Sequence, residues 1–280
     1  MESWIFLSLI YGLLCGSADL LKKQTLKNTS VFNTLAFFNL IILVLLFIMG
    51  GDLSLSIDNY WLIFAKSLCV FLGWVTGFWA IKNTPISIYS ILMLSKVIFA
   101  GLLSIAILNE ELTTNKIIGF CVIAIGVIIC NLGKKANKIK LKYILITLLS
   151  SMLISVSLFL DKLILIDVNH YTLQTYHTIS LLILIFIFAL IFKQSIALNS
   201  IKNNHCLYSL ALVNFLADWC HFAAAENPHS SVIIMTLTRH SSIIVSVIIG
   251  TIIFKEKYLL KKIISLIFII FGLFLTLLNF

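Results

Sequence analysis

Apolar runs of about twenty residues recur along the whole chain, separated only by short polar connectors. A run of that length, wound as an α-helix, matches the hydrocarbon thickness of a bilayer. Inside lipid the backbone must satisfy its own N–H and C=O groups, which leaves helices or closed barrels. A barrel needs alternating segments about ten residues long, and continuous apolar runs do not fit that pattern. Ten segments mark out at roughly 3–21, 31–50, 60–81, 86–108, 116–133, 143–160, 171–192, 207–225, 230–254 and 260–279. The predicted fold class is an all-α membrane protein of ten transmembrane helices.

Composition agrees. Of 280 residues, 61% are hydrophobic and 11% charged, whereas soluble domains carry roughly a quarter charged residues. A soluble globule this apolar would expose large greasy patches. The net charge of +9 does not point to nucleic acid, because Arg239 is the only arginine and most lysines stand between apolar runs. Fifteen lysines follow odd-numbered segments, against Lys116 and Lys162 after even-numbered ones. The positive-inside rule then puts the lysine-rich loops in the cytoplasm and both termini outside. The six cysteines form no CxxC pair, so they read as small apolar residues, and neither metal nor cofactor is expected. The first run lacks a basic leader and is too long for a cleavable signal peptide. The expected location is the cell membrane, multi-pass. Lysine-heavy, isoleucine-rich usage points to an AT-rich bacterial genome and hence an inner membrane.

The chain also repeats itself. Ala80-Ile81-Lys82-Asn83-Thr84-Pro85-Ile86-Ser87 ends the third segment, and Ala223-Ala224-Ala225-Glu226-Asn227-Pro228-His229-Ser230 ends the eighth. These hold the only two prolines, 143 positions apart, each suited to opening a helix. A second match sets Glu110-Glu111-Leu112, Lys116 and Gly126 against Glu256-Lys257-Tyr258, Lys262 and Gly272, at an offset of 146. The halves are 1–134 and 143–280, joined by a basic linker at 135–142. Each holds five helices. Five is odd, so the second half enters the bilayer from the opposite side. Inverted repeats of this kind build secondary carriers whose site lies at the repeat interface near the midplane.

On these residues the chain resembles the drug/metabolite transporter superfamily, in particular its EamA-type branch of two five-helix repeats. The matching features are the Ala-x4-Pro-x-Ser turn in each half, acidic Glu110 and Glu256, Gly126 and Gly272, and the Cys15-Gly16-Ser17 step in helix one. Helix six departs, with Ser155-Val156-Ser157 where a glycine step is expected. The resemblance implies a carrier fold with a central cavity walled by helices 3, 4, 8 and 9. It implies no substrate, since the group carries amino acids, drugs, sugars, nucleotides and phosphorylated metabolites.

Charged residues within apolar runs are costly and usually face a cavity or a partner. Lys96 and Arg239 each stand eleven positions after their half's proline, and Asp218 lies mid-way along segment eight. Lys96 and Arg239 read as ligands for a carboxylate or phosphate on the substrate, arginine as a planar fork and lysine as a point charge. The competing reading is an Asp218–Arg239 ion pair that locks two helices together. Asp218 and Asp19 also suit proton exchange. Asp19 either faces the cavity mouth or pairs with Lys22 or Lys23 one turn on. His221, close to Asp218, and His240, beside Arg239, are proton-relay candidates. Trp74, Trp219 and Tyr89 are candidate solute-stacking residues on the cavity walls. The bland readings take Lys66 as snorkelling to the interface, and Asp161 with Lys162 as the rim of segment six. Glu110 and Glu256 are read as favouring helix N-termini, Trp4, Tyr60 and Trp61 as interfacial anchors. Gly73-x3-Gly77 is expected to admit a close helix neighbour.

The function expected is a secondary active transporter moving a small anionic metabolite by alternating access. The alternative is a proton-coupled efflux carrier for amino acids or for amphipathic or cationic drugs. No Walker motif or nucleophile-and-base motif is present, which argues against an ATPase or an enzyme. The expected partners are a small solute and the lipid bilayer, with no nucleic acid. Pairing of two copies stays open.

Overall fold

A computed structural model describes residues 3–51, 53–96, 98–100, 102–103, 114–131, 140–194, 204–227 and 259–277, with single positions at 230, 235, 242 and 245. The regular structure of the described residues is helical: α1 (Ser3–Thr25), α2 (Val31–Met49), α3 (Ile57–Asn83), α4 (Ile86–Leu92), α5 (Thr114–Asn131), α6 (Leu141–Ile164), α7 (His170–Ile191), α8 (His205–Glu226) and α9 (Leu259–Leu277). Six of them, α1, α2, α3, α6, α7 and α8, are long and apolar enough to cross a membrane.

Local chemistry sets the helix starts. Ser30, Ser56 and Asn169 are N-caps whose side-chain oxygens accept from the N–H of Asn33, Asn59 and Thr172. Such a cap satisfies a donor that the helix itself cannot. The cap at Ser56 opens α3 at Ile57, three residues before the sequence reading. At its other end, α6 runs on to Ile164. Asp161 and Lys162 therefore belong to its last turn, not to a rim beyond a helix ending at 160. Segment four is also not one smooth helix, because a 3-10 turn at Met93–Ser95 follows α4. Ser95 Oγ bonds Ser151 Oγ on α6 at 2.7 Å and also donates to the Leu92 carbonyl. Most of segment nine lies outside the described residues.

The packing is reciprocal between the halves. α1 lies against α8 and α3 against α6, while α2 packs on α7 and α8 and α5 packs on α9. α6 runs antiparallel to α3. Asp161 near its end meets Lys66 near the start of α3, and Ser150 meets Gly73 and Gly77. α1 and α3 end together, where Lys23 Nζ donates to the Thr84 carbonyl at 2.6 Å. The first helix of the second half thus runs opposite to that of the first.

The bundle buries many polar side chains beside its apolar core and exposes large apolar ones. Asn39, Ser67, Ser150, Thr175 and Gln174 are buried, while Ile48, Leu190 and Phe274 are exposed. Buried hydroxyls such as Ser67 and Thr175 donate to the carbonyl four residues back, which satisfies them within their own helix. Trp4, expected as an interfacial anchor, is instead buried in an apolar cluster with Ile63, Ile164, Leu173 and Phe222.

Glycines permit close helix contact. At Gly73 an added Cβ would sit 2.9 Å from Ile154 Cδ1, which is the near approach expected of the Gly73-x3-Gly77 pair. At Gly16 it would sit 2.5 Å from the backbone oxygen of Ser242. Alanine replacing glycine in an open helix gains about 0.5–1 kcal/mol. Overpacking against a backbone atom reverses the sign, typically by about 1–3 kcal/mol. Gly16→Ala should therefore lower the unfolding temperature in detergent, and a raised temperature would contradict the close approach.

Candidate functional site

Two adjoining cavity lobes within the bundle share Cys15, Lys22, Trp74 and Ile154 as walls. One lobe, about 630 Å³ of space open to solvent, is lined by Asp19, Tyr89, Ser90, Lys96 and Ser150. The other, about 540 Å³, is lined by Tyr11, Lys66, Asp161, His177, Asn214, Asp218 and His221. The walls come from α1, α3, α4 and α6, with α7 and α8 on the second lobe. Helices one and six thus line the path, in addition to the walls that the family resemblance implies.

Six of the sequence-selected residues meet on this cavity: Lys96, Asp218, Trp74, Tyr89, Asp19 and His221. Trp219 does not line it. Its ring stands edge-on to His170, with centroids 4.6 Å apart. Arg239 and His240 lie outside the described residues, as do Glu110, Glu256 and His229.

Lys96 owes its position to the helix break before it. It is 5% exposed, and its carbonyl accepts from Ser155 Oγ at 2.9 Å. Ser155 belongs to the Ser155-Val156-Ser157 stretch that replaces the expected glycine step. The departure thus supplies the hydroxyl that holds the chain at Lys96. Asp19 pairs with Lys22 at 3.2 Å, and both open onto the first lobe, so the pairing and the cavity-facing readings hold together.

The second lobe contains what sequence reasoning missed. Lys66, read as snorkelling, is 1% exposed. Its Nζ lies 2.7 Å from Asp161 Oδ1 and 4.1 Å from the centre of the Phe222 ring. Asp161 Oδ2 is 3.2 Å from His221 Nε2. The His221 ring stacks on Tyr11 with centroids 4.7 Å apart, and the neighbouring Ser67 bonds His177 Nδ1 at 2.7 Å. Both earlier readings are corrected for one reason. The early start of α3 and the late end of α6 carry Lys66 and Asp161 into the interface between those helices, where each buried charge needs the other. A usable signal was present: Asp161-Lys162 stands 139 positions after Lys22-Lys23, the matching end of its half's first helix.

Lys162 shows the same correspondence. Its Nζ donates to the carbonyls of Ala225 and Asn227 and to Ser230 Oγ at 2.7–3.1 Å. Cations suit the last carbonyls of a helix. In the first half, Lys23 does this to Thr84. Each lysine therefore grips the carbonyl that precedes its half's proline. Among the described residues, no group of three or more His, Cys, Asp or Glu is arranged to hold a metal ion.

The model of the EamA-like transporter family matches residues 2–132 and, a second time, 141–278. This chain belongs to the EamA-like transporter family. As an EamA protein with several apolar helices long enough to span a bilayer, it is a multi-pass membrane protein of a transporter family, and the family consists of carriers, not enzymes. Among 28 matching chains of solved structures, one described only as "Crystal structure of protein" superposes with a TM-score of 0.72. That match covers 99% of the EamA chain and 96% of the other at 12% identity, which shows a shared fold. No curated protein matches the sequence significantly.

Removing one partner of a buried ion pair strands the other, at a cost of about 3–5 kcal/mol, whereas replacing both with apolar residues of similar size is often neutral. Lys66→Met should therefore destabilise the EamA protein strongly in thermal unfolding, and adding Asp161→Leu should restore most of the loss. Equal losses in the single and double variants would show that the pair is not coupled.

Proposed function

We propose that this protein is a secondary active transporter in which ten membrane helices form two inverted repeats. It moves a small carboxylate- or phosphate-bearing metabolite by alternating access. The observation that carries this reading is Lys96, a nearly buried cation on the wall of a solvent-open cavity between the halves. An ionisable side chain within an apolar run usually faces a cavity or a partner, and Lys96 lines the cavity. Around it stand the groups an oxyanion needs for orientation, namely Ser90 and Tyr89, with Trp74 as an apolar face. Arg239 follows its proline at the same spacing and is proposed as the second ligand of the anion.

The opposed directions of α1 and α6 support the inverted arrangement, and the twin lysine grips support alternating access. Lys23 on Thr84 and Lys162 on Asn227 secure ends of the bundle that point in opposite senses. A carrier open to one side at a time needs two such ends built alike. On the loop-charge bias, the Lys23 end faces the cytoplasm of a bacterial inner membrane. A second reading, proton-driven export of a cationic or amphipathic solute, is favoured by Asp218 and Asp19 on the cavity walls.

Uptake of labelled carboxylates and phosphate esters into proteoliposomes tests the choice. Losing a charge-assisted contact typically costs about 1.5–3 kcal/mol, so Lys96→Ala should reduce anion uptake by roughly tenfold or more, with Lys96→Arg retaining part of it. Unchanged anion uptake by folded Lys96→Ala protein, with loss of cation export in Asp218→Asn, would decide for the second reading.

A further inference from the structure

We propose that Lys66 and His221 form a second anion site of the solute path, with Asp161 as its internal counter-ion, which accepts a solute anion when the Asp161–His221 couple takes up a proton. This deepens the anion-carrier reading and rests on it. The three bonded side chains have side-chain exposures of 1%, 4% and 8% for Lys66, Asp161 and His221, yet they form part of the wall of the second lobe. An ionised carboxylate only accepts hydrogen bonds, so the Nε2 of His221 carries the hydrogen that points at it. With His221 neutral, the formal charge of the trio is zero.

One added proton, on the carboxylate or on the imidazole, leaves the trio with a net positive charge. On the carboxylate, it removes the counter-ion of Lys66. On His221, it sets two cations against one carboxylate. Uncompensated charge is costly at this depth, and a singly charged anion arriving through the lobe restores neutrality. Proton and anion therefore load together and leave together, and by linkage each strengthens the binding of the other. The proton comes from water in the lobe and returns to water on the opposite side, so nothing else is consumed.

The surrounding groups are consistent with this role. Asp218 on α8 is half-buried, lines the same lobe and is within electrostatic reach of Lys66. His177 on α7 is engaged by Ser67. Tyr11 on α1 supports the His221 ring. Lys22 on α1 opens onto the same lobe and is paired with Asp19. A purely structural bridge would hold Lys66 regardless of acidity.

The test uses the full chain in detergent micelles, with inorganic phosphate and acetate as probes against sodium chloride of equal ionic strength. Thermal unfolding is followed at about pH 8 and about pH 5.5, on either side of the ordinary histidine range. A bound ligand raises the unfolding temperature, so wild-type protein should gain about 3 °C or more from a probe at the acid pH and under about 1 °C at the alkaline pH. Asp161→Asn should respond at both, and Lys66→Met at neither. If Asp161→Asn fails to fold, the charge-free Lys66→Met/Asp161→Leu protein replaces it and should be silent at both pH values. An equal wild-type response at the two pH values, a response that survives Lys66→Met, or silence throughout would overturn the proposal. The outcome separates from that of the carrier reading. Lys96-dependent anion uptake with a pH-independent Lys66 sinks this inference alone, whereas a pH-gated Lys66 without Lys96-dependent uptake sinks the substrate assignment.

Discussion

Charge buried in a low-dielectric bundle must be matched where it stands, and the Lys66–Asp161 pair is where this protein meets that demand most fully. The bridge joins α3 of one half to α6 of the other. It sits on the same antiparallel interface at which Gly73 meets Ile154 and Ser150 bonds the Gly73 carbonyl. Close approach of the helices brings the two charges to hydrogen-bond distance, and their attraction in turn rewards the approach. The same pair forms part of the cavity wall, bonds His221 through the second oxygen of Asp161 and marks the register of α3 on α6.

Polar chemistry elsewhere in the bundle follows the same logic. Several buried hydroxyls bond the carbonyl a turn back or a neighbouring helix, as Ser95 does with Ser151 and Ser155 with the carbonyl of Lys96. These contacts hold the 3-10 turn at Met93–Ser95, a break that sets Lys96 on the cavity wall and not within a regular lipid-facing helix. Backbone irregularity at membrane depth is tolerated only where it is buried or lines a cavity, and here it does both.

Much of this architecture is legible in the sequence because its signals are periodic or duplicated. Run length fixes the helices, and the paired prolines reveal the two halves. Lys96, Asp218, Trp74 and Tyr89 stand out as polar or aromatic residues inside apolar runs. The residues that escaped are those near helix ends. Lys66 and Asp161 lie two or three turns or fewer from a terminus, so an error of three or four residues in the boundary turns a buried partner into a rim charge. Trp219 shows the converse: rotation about the helix axis, which packing decides, turns it towards His170 at the start of α7 and off the cavity wall. The 3-10 turn has no proline or glycine to announce it, since tertiary hydrogen bonds from α6 impose it.

The central claim is that the cavity communicates with water on each side of the membrane in turn. Cys15 lines both lobes and reports on this directly once the other five cysteines are replaced by alanine. A membrane-impermeant maleimide applied to right-side-out and to inverted vesicles measures its accessibility from either face. The account predicts labelling from both faces, slowed in each case by a transported anion. Labelling confined to one face, and indifferent to every transported solute, would contradict it.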